Sequence, residues 1–222
     1  MLLVVSCLSS ALAQSADAAR EVGDAAMALG LGAERRMDPR AALGHFRVAL
    51  EARPDDAFLQ QKVAQQLSDA AFLETDPAER IRLAKEAMVH AQRAVALDPK
   101  SAVARLSLAV LYGKLAIEEG IGTRIDYARR IHRHAEEALQ LDPDYAWASH
   151  VLGRWHVELS QVNLAQRAVV SVLFGGLPEA SIDRGIRLLE TAVRLEPRAI
   201  PHRVELGFAY QRLGRVNEAR FC

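Results

Sequence analysis

Ala94-Val95-Ala96-Leu97-Asp98-Pro99 is the phrase on which the reading of this chain turns, because it returns three more times. The copies are Ala49-Leu50-Glu51-Ala52-Arg53-Pro54, Ala138-Leu139-Gln140-Leu141-Asp142-Pro143 and Ala192-Val193-Arg194-Leu195-Glu196-Pro197. Each is a helical run stopped by proline, which cannot continue a helix without losing a hydrogen bond and clashing, at about 3 kcal/mol. The same place in every unit is therefore a helix end, and the chain reads as an array of one repeated unit.

The register holds on both sides of the prolines. Nine, ten and thirteen residues downstream stand Val63/Ala64/Leu67, Leu108/Ala109/Tyr112, Leu152/Gly153/His156 and Leu206/Gly207/Tyr210. Twelve, eight and five residues upstream stand Ala42/Phe46/Ala49, Ala87/Ala91/Ala94, Ile131/Ala135/Ala138 and Gly185/Leu189/Ala192. Spacings of three and four mark one helical face. Small residues let the two helices of a unit approach, and large ones fill the gap between units. Asp38-Pro39 and Asp76-Pro77 read as capped starts, with Glu79 closing a capping box on Asp76. Thr123, with Asp126 three residues on, reads as another start, and Asp56, Ser101 and Asp144 as caps of first helices.

Leu206-Gly207-x-x-Tyr210-x-x-x-Gly214 resembles the first helix of a tetratricopeptide repeat (TPR). Ala42-x-x-x-Phe46-x-x-Ala49 followed by Pro54 resembles the second, and Leu29-Gly30 sits where the first unit's matching pair belongs. The resemblance covers residues 20–222 and implies an all-α, TPR-like α-α superhelix. That fold is a right-handed solenoid of helix-turn-helix repeats, here with lengthened connections between first and second helices. The units fall at about 23–56, 57–101, 102–145, 146–199 and 200–222, the last incomplete. Proline-to-proline distances are 45, 44 and 54 residues, against about 34 for a plain TPR. The surplus is expected to extend the first helix and the turn of each unit. Ala219-Arg220-Phe221-Cys222 begins a second helix without room to finish, which reads as a fragment or a truncated frame, since a solenoid needs a closing cap.

The long units narrow the resemblance. Leu152-Gly153-Arg154-Trp155 in an extended helix, the insert through Leu177-Pro178 and the Gly113-Lys114-Leu115-Ala116 segment are similar to the regulator of microtubule dynamics proteins, over about Ala57 to Arg220. Eukaryotic members of that family are linked to microtubules and to contacts between endoplasmic reticulum and mitochondria, and one member's TPR domain to phospholipid binding and transfer. The export-like N-terminus and the arginine-heavy composition, with only four lysines, point to a bacterial relative, for which the microtubule role does not carry over.

Composition agrees with helix and excludes several partners. Of 222 residues half are apolar, rich in alanine and leucine with few aromatics, which favours helix over sheet. The 28 basic and 28 acidic side chains cancel, so bulk charge favours neither nucleic acid nor an anionic membrane. Cys7 and Cys222, at opposite ends, make a structural disulfide or cysteine metal site a poor reading. Leu2 to Ala13 is too short to span a bilayer and ends in Ala11-Leu12-Ala13-Gln14, the small-residue pattern of signal cleavage. Residues 1–19 thus read as a signal peptide and short lead, although a basic n-region is missing. A lipoprotein box at Val4-Val5-Ser6-Cys7 and a plain N-terminal helix stay open. Export implies a bacterial periplasmic or secreted protein, and its absence a cytoplasmic one.

In a TPR array the first helices form the concave wall, at positions four, seven and eleven residues after each unit-closing proline. Here these are Phe58, Gln61 and Gln65, then Val103, Leu106 and Val110, then Trp147, His150 and Arg154, then Pro201, Val204 and Phe208. TPRs that bind peptide carboxylates carry lysine and asparagine there, and this wall has neither. Its apolar character suits a protein or peptide partner such as an amphipathic helix, or a phospholipid. Arg154 and His150, four apart, can hold a phosphate or carboxylate, unless a neighbouring acid takes Arg154. The apolar insert Val162 to Leu177 reads as a lid or membrane-touching element or, more simply, as packing on the next repeat, with Gly175-Gly176 allowing the chain to reverse.

Catalytic signatures are missing from the sequence. There is no His-Glu-x-x-His for zinc hydrolysis and no phosphate-binding glycine loop or nucleophile elbow. His132-Arg133-His134 sends its imidazoles to different helix faces. No cofactor, metal or catalytic residue is assigned. The expected function is a non-enzymatic adaptor, with a lipid-binding module and a structural subunit of an envelope complex as alternatives.

Overall fold

Proline spacing sets where the helices of this chain stop, and small-residue spacing sets which faces meet. The computed structural model describes residues 2–117 and 119–220, with side chains from Asp17 onward. The side chains behind the export and lipoprotein readings, and Phe221 and Cys222 of the unfinished helix, lie outside the described residues. The described residues form eleven helices and no strand. They are α1 (Leu2–Arg35), α2 (Pro39–Ala52), α3 (Ala57–Leu73), α4 (Pro77–Leu97), α5 (Ala102–Ala116), α6 (Ile121–Leu141), α7 (Ala146–Leu159), α8 (Leu164–Phe174), α9 (Ile182–Leu195), α10 (Ile200–Arg212) and α11 (Val216–Ala219). Pro54, Pro99, Pro143 and Pro197 each stand two residues beyond a helix end.

The chain divides into two units, Met1–Pro99 and Lys100–Cys222. In the first, α1 pairs with α2 and α3 with α4, while α2 packs on α3. In the second, α5 pairs with α6, α7 with α9 and α10 with α11, and the first helices α5, α7 and α10 lie side by side in that order.

The repeated rows form the core. Ala42, Phe46 and Ala49 of α2, Ala87, Ala91 and Ala94 of α4, Ala135 and Ala138 of α6, and Leu189 and Ala192 of α9 are buried. So are Val63, Ala64 and Leu67, then Leu108, Ala109 and Tyr112, and Leu152, Leu206 and Tyr210 on the first helices. Between α7 and α9 the two backbones come close. A Cβ on Gly153 would lie 2.9 Å from the Gly185 carbonyl oxygen, and one on Gly185 would lie 2.8 Å from that of Gly153. A real side-chain carbon does not approach backbone that closely, so both positions require glycine for space alone.

Several caps are as the sequence reading has them. Asp38, Asp56, Asp76 and Ser101 each accept a backbone N–H of the helix they precede, worth about 1 kcal/mol apiece. Three differ. Glu79 closes no capping box on Asp76, because Arg82 one turn on takes both its carboxylate oxygens at 2.6 and 2.7 Å. Thr123 does not start α6, which begins at Ile121 with Gly120 as cap, and Asp126 pairs with Arg130. Asp144 does not cap α7, whose cap residue Tyr145 makes no side-chain cap bond.

The surplus residues fall only partly where expected. The second helices α4 and α6 are lengthened to 21 residues each. An overhanging turn on one helix is unfavourable unless its partner covers it. Accordingly α3, which pairs with α4, extends to 17 residues as well, with Ala70 and Ala71 buried in it and Leu83 and Ala84 buried in α4. The third insert forms a separate helix, α8, which packs on α6 of the preceding repeat and not on the next one. Arg129 of α6 holds its end by donating to the carbonyl oxygens of Phe174 and Gly176. Gly175 and Gly176 turn the chain there with φ of 76° and 82°, a region that costs glycine little.

Leu152→Ala should destabilise the chain by about 2–5 kcal/mol, and Gly153→Val by a comparable amount through overpacking against α9. Urea denaturation followed by circular dichroism measures both. A loss well under 1 kcal/mol for either would contradict the packing of α7 on its neighbours.

Candidate functional site

The wall positions form three rows on the first helices, and the rows differ in exposure. In the first unit Phe58 of α3 is exposed, Gln65 half-buried and Gln61 buried. Gln61 donates to Gln65 at 3.4 Å. The ammonium group of Lys62 lies 5.6 Å from the Phe58 ring centroid and pairs with Glu34 of α1 at 2.8 Å, while Gln66 also donates to Glu34 at 3.2 Å. The sequence reading missed Glu34 and Lys62, because an ion pair 28 residues apart leaves no local pattern.

In the second unit, the row four residues after each proline is open: Val103, Trp147 and Pro201 are all exposed. The row at eleven runs from half-buried Val110 to exposed Arg154 and Phe208. The row at seven is not open wall. Leu106 is only 3% exposed and His150 only 9%, a correction to their placement as surface positions that Gln61 shares. In this unit the seventh position of one first helix meets the fifth position of the next. Leu106 lies in one buried cluster with Ala148 and Leu152 of α7, and His150 meets His202 of α10. Only Val204, whose helix has no following first helix among the described residues, is exposed in that row.

Of the two readings of Arg154, the structure shows the one in which neighbouring acids take it. Arg154 binds Glu158 at 2.8 Å and approaches Glu205 of α10 at 3.9 Å, so neighbouring acids engage its charge. Burial pushes the Glu205 carboxyl up, against the pull of Arg154. His150 instead joins an aromatic seam. Its Nδ1 lies 3.1 Å from Nδ1 of His202, and the Trp147 ring stands edge-on to His202 at 4.6 Å. Nε2 of His202 is buried 3.5 Å from a Glu196 carboxylate oxygen. Two facing ring nitrogens need one proton between them, and the carboxylate favours a protonated Nε2 on His202. The neutral arrangement therefore has His150 donating through Nδ1–H to His202. His202 was missed in the sequence, although it occupies the fifth-position row otherwise held by Leu59, Ala104 and Ala148.

Gly153-Arg154-Trp155 now has a physical account. Gly153 admits α9, Arg154 faces the wall, and Trp155 ties α7 to α6 by donating Nε1–H to the Ala128 carbonyl at 2.7 Å. Trp155 also packs on His132 at 4.4 Å between centroids, whereas His134 stacks on Tyr112, so the two imidazoles do take different faces. Among the described residues no group of three His, Cys, Asp or Glu could hold a metal ion, and no helix is long and apolar enough to cross a membrane.

The family model described as regulator of microtubule dynamics protein 1-3 matches residues 30–222. The chain belongs to that family. Among relatives of the regulator family, rat regulator of microtubule dynamics protein 3 is 28% identical over 160 residues, 72% of this chain and 34% of the relative. Mouse regulator of microtubule dynamics protein 1 is 28% identical over 169 residues, 75% of this chain and 55% of the relative. The chain thus spans between a third and about half of these relatives' length. The regulator-family fold seen here is TPR-like. A thermophilic TPR protein of Thermus thermophilus superposes with a TM-score of 0.67 at 20% identity, covering 89% of this chain and 86% of its own. Pseudomonas aeruginosa pilF superposes at 0.60 and 18% identity, covering 91% and 74%.

The histidine seam should make the fold acid-sensitive. Burial, with His202 and Arg154 adding, holds His150 down at about 4, below its ordinary 6.5. Burial lowers His202 too. A depressed histidine favours the neutral folded form, so its stability is complete above about pH 7 and is lost as pH falls through 6.5 toward 4. Thermal melts should show a lower Tm at pH 5 than at pH 7.5, and His150→Leu should narrow the gap. An unchanged gap would move the sensitivity to His90, His132, His134 or His156, which burial also lowers.

Proposed function

We propose that this chain is a non-enzymatic scaffold that holds another protein or peptide on its first-helix wall. The observation that carries the reading is the open apolar surface of Val103, Trp147, Val204 and Phe208 on three neighbouring rigid helices. Phe58 offers the same kind of surface in the first unit. Membership of the regulator family and the TPR-like fold support a scaffold role. The wall favours an amphipathic helix whose apolar face covers these side chains. A phospholipid would find the same apolar row, but Arg154 is already engaged by two carboxylates, which leaves that reading second. The relatives' names tie them to microtubule dynamics, and what this shorter chain shares with them is the repeat region.

A photo-cross-linking residue placed at Val103 or at Phe208 should trap the same protein partner in cells, while one at Arg133 on α6 should not. Equal adducts at all three positions, or none on the wall, would end the scaffold reading. Solvent extraction of the purified protein completes the test: stoichiometric phospholipid without a protein adduct gives the wall to lipid.

A further inference from the structure

An apolar helix face normally turns inward. α8 does the reverse. It is built of leucine, valine, alanine and phenylalanine around three polar residues, and none of its residues is buried. At about 100° per residue, Leu164, Ala168, Val172, Ala165, Val169 and Leu173 follow one another over about half of its circumference. All six are exposed, Leu164 to 87% and Val172 to 83%. Gln166 and Ser171 border this arc, while Arg167, Val170 and Phe174 form the half-buried side.

The exposure is fixed at both ends of the helix. Asn163 and Gln166 close a capping box. Arg167 donates to the carbonyl oxygens of Leu159 and Val162 at 2.7 and 3.2 Å, where α7 ends. At the other end Arg129 of α6 holds the Phe174 and Gly176 carbonyl oxygens, and Gly122 of α6 lies against the Phe174 ring. Ile117 and Ile121, in the turn before Gly122, are exposed as well. Helix contacts among the described residues join α8 to α6 alone, and to neither α9 nor α10.

Shape and chemistry choose the occupant of this face. The arc is convex, aliphatic and, over eleven residues, about 16 Å long. A single helix face of that length falls short of the roughly 800 Å² that each partner buries in a stable protein complex, a second copy included. It carries no aromatic ring and no guanidinium, the common anchors of protein contacts, and no hydrogen-bonding group within the arc to set a register. A lipid surface requires none of these. It accepts a convex apolar helix lying in its plane and favours cations beside it. Arg129 and Arg167 give their hydrogen bonds to carbonyl oxygens rather than to carboxylates, and Arg124 in the first turn of α6 is exposed. Among the nearby acids, Asp126 is held by Arg130 at 2.6 Å, whereas Glu119 and Glu179 flank the region and temper the attraction.

We propose that α8 is an in-plane docking helix that seats the second unit on a lipid surface, its aliphatic arc entering the headgroup boundary and Arg124 facing the phosphates. Insertion of the arc supplies most of the binding, and the arginines add a part that salt screens. The contact lies on the α6 side, so the first-helix wall stays free and the proposal is independent of what the wall holds.

Flotation of the purified full chain with vesicles of phosphatidylcholine and a minority of phosphatidylglycerol tests it. Wild type should float with the vesicles, less so in raised salt. Val172→Glu and Leu173→Glu, both at exposed positions, should each lower vesicle affinity by about tenfold or more while leaving the circular dichroism spectrum unchanged. Val89→Glu, at an exposed aliphatic position on α4, should float as wild type does. Wild type that stays in solution at every lipid concentration, or α8 variants that float like wild type, would overturn the proposal, and so would an equal loss in Val89→Glu. Self-association abolished by Leu173→Glu, without vesicle binding, would give the face to a second copy instead. A negative result leaves the scaffold reading standing, because no variant touches the wall.

Discussion

Between α7 and α9 two backbones touch where side chains vanish: Gly153 and Gly185 each stand where a Cβ would lie within 3 Å of the other's carbonyl oxygen. The rest of the second unit depends on that approach. It brings Leu189 against the first helix and buries Leu152, and it aims the two residues after Gly153 in opposite directions, Arg154 to the wall and Trp155 to α6. The first unit meets the same constraint with different residues, where Gly30 of α1 admits the Phe46 ring of α2. Alanine serves in the other pairs. A repeat of this type is less a matter of which apolar residue is used than of where no bulk is permitted.

What could be read from the sequence was whatever repeats. Four prolines and two rows of small and large residues recur at fixed offsets, and each helix end and core face they imply is where the structure has it. The capping predictions split by the same logic. Asp38, Asp56, Asp76 and Ser101 act within three residues of their target, whereas Glu79 was lost to Arg82, a competitor of equal proximity and opposite charge. The wall was legible in outline only. Offsets of four, seven and eleven fall on the first helices, but in the second unit the seventh position turns into the seam between repeats, a fact that depends on the neighbour's position. His202 and Glu205 complete the polar cluster from 52 and 51 residues beyond His150 and Arg154, so only the fold connects them.

The histidine seam shows how such a neighbour contact departs from the apolar pattern. Leu106 against Ala148 needs nothing but fit. His150 against His202 needs a shared proton, an acceptable tautomer and an acid held at a distance, in a place where burial makes each protonation costly. The last stacked pair of the second unit is thus held by the chemistry most responsive to pH, while the one before it is held by dispersion and burial alone.

In the second unit the inserts leave the first helices short. The lengthening of the repeats appears as 21-residue second helices and as α8, which attaches to the second helix α6. The first helices of the second unit stay at 15, 14 and 13 residues. Extra turns on the second helices change the outer face, where Arg129 and the two glycines can fasten them locally. Extra residues inside a first helix would rotate every later position by about 100° each, carrying Val103, Trp147 and Phe208 out of line and breaking the seam at the same stroke. The wall and the seam share one helical register, so a chain that keeps its repeats stacked also keeps the wall positions in line.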